Sequence, residues 1–202
     1  FYIPLALTAM LAMGTQPMVT FMMGQSRMVV ESLAVFPVIN GLTFMFRSLG
    51  LSFQEVAVAL LGPRMKHLRP LCNFAVVLAL VASACLAVVA YSPLSIIWFN
   101  NVSGLSLTLT EFAISPLRLM VVLPALSVIL SLQRSILLTT RRTTSITLAS
   151  SAEILTIAGL LWIGIHQFDA VGMMSAAAAL VIGRFLTNLW LARPCWRANV
   201  LA

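Results

Sequence analysis

Six long apolar runs constrain this chain more than any motif does. They cover residues 3–24, 28–61, 71–98, 111–139, 144–165 and 171–192. A bilayer core about 30 Å thick needs roughly 20 apolar residues in a helix that rises 1.5 Å per residue. Each run meets that length. Of the whole chain, 61% is hydrophobic and 8% charged, whereas a soluble domain carries about a quarter charged residues. So few charges cannot keep a water-facing surface of this size wet. The pattern predicts an all-α, polytopic transmembrane helical bundle of six spans in a single unit over residues 1–202. It excludes a secreted disulfide scaffold, a nucleic-acid module and a disordered tail. A membrane β-barrel would need alternating segments of about ten residues, and the sequence has none.

The joints between runs support this division. Residues 24–27 make a tight turn, GPRMKHLRP is bracketed by prolines, and TTRRTT is a basic turn. Residues 100–110 form the longest loop, and residues 166–170 a short polar turn. Short loops imply antiparallel neighbours. The second run is too long for a straight span. Three explanations are open: a tilt, a break near Gly50, or an overrun past the membrane surface. The third run is expected to leave the membrane near residues 91–93.

Basic residues fix an orientation. Arg64, Lys66, Arg69, Arg141, Arg142, Arg193 and Arg197 fall on one side, and Arg27 alone on the other. By the positive-inside rule the crowded side is cytoplasmic, and so are both termini. The formal charge of +7 therefore reports topology, not nucleic-acid binding. Trp98, Trp162, Trp190 and Trp196 stand near span ends, as an interfacial belt does. One lysine against eleven arginines hints at a GC-rich genome, and hence at a bacterial inner membrane. The chain opens on Phe1 directly in apolar sequence, which suggests a fragment or a missing start.

Several features read as ordinary membrane-protein fabric. Cys72, Cys85 and Cys195 have no metal spacing and pass for small apolar filler. His67 and His166 fall on opposite sides, so a shared metal is not expected. The Asn101–Ser103 sequon matters only in a eukaryote. The eleven methionines suit adaptable packing. No Ser/His/Asp set, metal cluster or glycine-rich phosphate loop points to an enzyme. No bound cofactor is expected beyond H+ or Na+ as a coupling ion.

Seven charged residues inside or at the edge of the runs carry the functional signal. They are Arg47, Glu55, Glu111, Arg118, Arg134, Glu153 and Arg184. A charge at mid-bilayer costs about 2.5–3.5 kcal/mol on insertion scales, so these should face each other or a wet interior. Depth pairs Glu55 with Arg134, and Glu153 with Arg184. Arg134 has snorkelling to the surface as an alternative, and Glu111 sits at the outer boundary. Arg47 and Arg118 are left without a depth-matched acid. Asn40, Thr43, Arg47, Gly50 and Gln54 share one helical stripe, as do Glu111, Ser115 and Arg118. Such stripes serve either as interhelical hydrogen-bond glue or as cavity lining, and the unpaired arginines favour the cavity. Pro17, Pro37, Pro116 and Pro124 fall inside spans, where proline frees a carbonyl and kinks the helix. Ser175, Ala179 and Gly183 form a small-residue stripe that permits close packing.

Longer segments carry a resemblance. The opening FYIPLAL precedes an internal Gly14 and Pro17. ESLAVFPVINGLTFMFRSLGLSFQEVAVALLG forms the long second span. YSPLSIIWFNNVSG, SPLR, EILTIAGLL and AAAALVIGR follow. Together they resemble the C-terminal six-helix lobe of the multidrug/oligosaccharidyl-lipid/polysaccharide exporter superfamily, which includes the MATE antiporters and lipid flippases. Residues 1–7 and 115–118 look most like its progressive-ankylosis branch. The resemblance implies two pseudo-symmetric lobes around a central cavity and export by alternating access. The partner is then an N-terminal lobe of the same chain, or a second copy. MATE drug exporters use acidic cavity residues. Arg47 and Arg118 instead suit a small anionic solute, with Asn40, Thr43 and Gln54 as hydrogen-bonding groups. Glu153 and Arg184 are the expected coupling or switch pair. The alternatives are a lipid-linked oligosaccharide flippase of the same fold and a non-transporting membrane scaffold.

Overall fold

A computed structural model describes residues 2–62, 68–140 and 143–200. Within them the chain is helical. The elements are α1 (Tyr2–Met23), α2 (Val29–Leu61), α3 (Leu68–Tyr91), the short α4 (Leu94–Ile96), α5 (Leu107–Met120), α6 (Leu123–Thr139), α7 (Thr143–His166) and α8 (Gly172–Val200). A π-helical segment, Ile97–Val102, continues α4. Among the described residues, five stretches are long and apolar enough to cross a membrane: Val29–Leu61, Leu68–Tyr91, Leu107–Thr139, Thr143–His166 and Gly172–Cys195. Large apolar side chains such as Phe21, Phe74, Leu80, Leu155 and Leu189 point outward. In water such a surface would drive association; against lipid it is the expected exterior. The chain is built as a multi-pass membrane protein.

The second span settles one of the open choices. α2 runs unbroken for 33 residues, about 50 Å at helical rise, so it outruns a bilayer core. Gly50 does not break it. That glycine lets α2 lie directly on α6, where a Cβ would stand 3.2 Å from the backbone of Ser127 and Val128. α2 ends instead at Gly62, whose φ of +54° with ψ of −179° lies in a region that is essentially glycine's alone.

The fourth span is two helices, where the sequence suggests one. α5 stops at Met120 and α6 restarts at Leu123, with Pro124 in its first turn. Proline has no N–H to donate and its ring excludes the carbonyl four residues back, here that of Met120. At the start of a helix the missing donor costs nothing. The Ala125 N–H is then satisfied by the hydroxyl of Ser83 on α3. The third span ends as expected, with α3 stopping at Tyr91 just before Pro93.

One end of the bundle gathers the turns at 24–28 and 166–171. Arg27 bridges Val171 there, and the amide of Met173 donates to Ser32 Oγ at 3.1 Å. Arg27 and Asp169 also approach to 3.9 Å with both side chains well exposed. Exposed pairs of this kind contribute at most about 1 kcal/mol. Arg27→Ala should therefore shift the unfolding midpoint little, and a large shift would show that the turn depends on this pair. The opposite end adjoins the basic segments. Arg64, Lys66, His67, Arg141 and Arg142 lie outside the described residues. Trp162 and Trp190 are exposed, as a belt requires, but Trp98 turns a buried Nε1 inward.

Two apolar cores stack along the bundle. One, near the turns at 24–28, includes Met23, Ile39, Leu86, Phe99, Leu161 and Met173. The other includes Phe53, Leu71, Val128, Leu137, Ile146 and Leu191. α7 and α8 pack closely beside them. Gly164 abuts Ser175, and a Cβ on Gly183 would come within 2.7 Å of Ile157. The small-residue stripe thus does what its spacing suggests.

Candidate functional site: a charged seam between two apolar cores

Three helices change from one core to the other across a charged residue. On α2 it is Arg47, between Leu42 and Phe53. On α7 it is Glu153, between Ala149 and Ile157, and on α8 it is Arg184, between Ala179 and Leu191. The three meet α6, which contributes Ser127, Ser131 and Arg134. A cavity of about 40 Å³ lies among Arg47, Ser127, Ser131, Arg134, Arg184 and the apolar Phe44, Leu51 and Leu130.

Each guanidinium is anchored by one contact. Arg47 Nε donates to Ser127 Oγ at 3.2 Å. Arg134 Nη2 donates to Ser150 Oγ at 3.2 Å. Arg184 Nε stands 3.1 Å from Glu153 Oε1, with side chains 17% and 10% exposed. That contact is an ion pair by charge and distance, since its alignment is too poor for a hydrogen bond. Arg134 Nε is buried without a hydrogen-bond partner. An arginine carries five N–H donors, so one anchor apiece leaves most of the donor capacity of this seam unused.

The charge balance is one-sided. The chain has five acidic residues. Glu55, Glu111 and Asp169 are exposed, and Glu31 sits in the first turn of α2. Glu153 is the buried one, so three arginines share a single carboxylate.

The expected pairs divide. Glu153 and Arg184 are brought together. Glu55 and Arg134 are not: Glu55 is exposed, and Arg134 binds Ser150 on α7 instead. Depth alone misjudges this pair because successive helical residues turn by about 100°. The neighbouring Gln54 lies against α6, where its backbone carbonyl shares the Ser135 O–H, at 3.1 Å, with the Ser131 carbonyl, and Glu55 is carried outward.

Arg118 does not join Arg47. It is exposed on α5 and stacks over the Tyr91 ring, 5.1 Å from the centroid. Tyr91 ends α3, so Arg118 stands near the end of the bundle, where its long stem can snorkel toward headgroups. Glu111 and Ser115, on the same face, are exposed too. The inward face expected for that stripe is an outward one.

The α2 stripe does point inward, but its members differ in role. The Thr43 hydroxyl donates to the Ile39 carbonyl of its own helix at 2.8 Å and has no proton left for a ligand. Gly50 and Gln54 serve the contact with α6. Asn40 Oδ1 is buried without a partner. Of the stripe, Arg47 lines the cavity. Three members of the seam escape the sequence reading: Ser127 and Ser131, and Arg134 in this role. Their signal is a polar stripe at i, i+4 and i+7 on α6, masked by the search for acid–base pairs.

Glu153 has a second exposure. It lines an open groove of about 730 Å³ between α7 and α8, walled by Leu186, Leu189 and Trp190, with Arg193 also on its wall. The Glu153–Arg184 pair therefore separates that groove from the small cavity. Among the described residues no group of three or more His, Cys, Asp or Glu is placed to hold a metal ion. Comparison with protein-family models, curated proteins and solved structures finds no match for the chain.

Proposed function

We propose that this chain is one lobe of an alternating-access membrane transporter that exports a small anionic solute. The observation that carries the reading is the seam: three inward arginines against one carboxylate, between two apolar cores. Charges at such a depth are retained for ion pathways, relays or switches. In this reading α1, about 33 Å long, is a sixth crossing, both termini are cytoplasmic, and the membrane is a bacterial inner membrane. A second lobe, from the same chain or another copy, completes the cavity, as in the multidrug/oligosaccharidyl-lipid/polysaccharide exporters that the sequence resembles. The solute rests on Arg47 and Arg134, Glu153–Arg184 is the switch, and H+ or Na+ is the coupling ion. The chain carries out no covalent chemistry.

The test is flux of labelled anions into liposomes holding the full protein. Arg47→Gln and Arg134→Gln should each cut the initial rate at least tenfold without lowering the amount reconstituted. Arg118→Gln should leave most of the rate. Unchanged rates in the first two variants would refute the assignment. A lipid-linked oligosaccharide flippase of the same fold is the second reading, favoured by the open groove between α7 and α8. It predicts flux that small anions do not compete away.

A further inference from the structure

We infer that the cavity among α2, α6 and α8 is a binding site for one compact inorganic anion, of halide or small-oxyanion size. This deepens the reading of the seam as an anion pathway by naming the ligand its geometry admits. Two observations carry it.

The first is charge. Arg47, Arg134 and Arg184 line the cavity, and Glu153 is the buried carboxylate that answers them. Formally the seam holds three positive charges and one negative, an excess of two. Uncompensated charge in a low-dielectric interior is costly, and a bound anion removes part of the excess. The donors are of the right kind. Guanidinium groups and hydroxyls bind anions by charge-assisted hydrogen bonds, and Arg134 Nε is buried with no partner of its own. The neighbouring elements supply no competing acid. α1 packs on α7 and carries no Asp or Glu, and the acidic residues of α2 and α5 are Glu31, Glu55 and Glu111, away from the cavity lining.

The second is size. A cavity needs roughly 10–15 Å³ of this kind of space for one water. About 40 Å³ therefore accepts one compact ion or a few waters. A sugar phosphate or a dicarboxylate would have to project out of it past the exposed Phe44 and Leu51. Arg184 is shared between this cavity and Glu153, so the carboxylate and the anion compete for the same guanidinium.

The experiment is thermal unfolding of the full protein in detergent, in sodium chloride against sodium gluconate at equal ionic strength. Gluconate is too large for the cavity. Chloride should raise the midpoint along a saturating curve, and gluconate should not. Arg134→Gln and Arg47→Gln should raise the half-saturating chloride concentration at least tenfold, while Arg27→Gln on the outer turn leaves it alone. Glu153→Gln should lower the midpoint in gluconate and recover most of it in chloride, with half-saturation several-fold below wild type. A purely structural role for Glu153 would show the loss in both salts. If an arginine variant does not fold, chloride-35 NMR of the wild type takes its place. Broadening that nitrate reverses supports the site, and broadening absent or irreversible overturns it. Identical midpoints for the wild type in chloride and gluconate also overturn it. Chloride-dependent stability without flux in liposomes would keep the site and sink the transporter reading. Organic-anion flux without any chloride effect would do the reverse.

Discussion

Replacing Glu153 with alanine is expected to lower stability by about 3–5 kcal/mol, the usual cost of leaving one partner of a buried ion pair alone. The loss is electrostatic before it is steric. Arg184 stays on α8, and the seam goes from one carboxylate for three arginines to none. The check is a double variant. Glu153→Leu with Arg184→Leu removes both charges, and apolar replacement of a buried pair is often neutral or stabilising. Chemical unfolding in mild detergent should place the double variant near wild type and the single variant far below. Equal losses in both would mean that the two residues contribute by packing alone.

Gly50→Leu is expected to lower stability by another route. The Cβ position at Gly50 faces Ser127 and Val128 backbone atoms at 3.2–3.3 Å, and backbone cannot rotate out of the way as a side chain can. A leucine must push α2 off α6. Overpacking commonly costs about 1–3 kcal/mol. Here it also pulls Arg47 away from Ser127, so both stability and anion response should fall. Gly159→Ala is the informative contrast. Its Cβ would meet nothing within 4 Å, and removing a glycine from a helix interior gains about 0.5–1 kcal/mol. Unfolding midpoints that move the same way for both would show that backbone approach at Gly50 does not matter.

The sequence displays the class of this fold openly because apolar length is a one-dimensional signal. α2 and α7 begin and end within one residue of the runs that suggest them, whereas α3 stops at Tyr91, where its run is expected to leave the membrane, and α8 continues to Val200, eight residues past its run. The break between α5 and α6 is visible as Pro124, yet its meaning depends on context. A proline inside a helix and one opening a helix look alike until the neighbouring turn is placed. Charges are harder. Glu153 and Arg184 sit on consecutive antiparallel helices, so depth and adjacency agree and their pairing is legible. Glu55 and Arg134 match in depth but not in azimuth, and a single helix sequence does not say which way its neighbours lie. Arg118 fails for a related reason. Depth counted along the fourth run assumes that the run begins at the membrane edge, whereas α5 starts at Leu107 and carries Arg118 to the level of Tyr91.

The chain order of the seam sets a problem of biogenesis. Arg47 enters the bilayer on α2 and Arg134 on α6, while the carboxylate that answers them arrives on α7, with Arg184 following on α8. Until the final hairpin is made, the nascent protein carries buried arginines without a counter-charge. On insertion scales each such arginine costs about 2.5–3.5 kcal/mol at mid-bilayer, so the early helices are expected to keep it beside water or anionic headgroups until α7 is delivered. The hairpin of α7 and α8 thus acts as the closing clasp of assembly. A ribosome stalled after α6 should leave a product that membrane proteases remove quickly, and co-expressing α7 and α8 as a separate fragment should protect it.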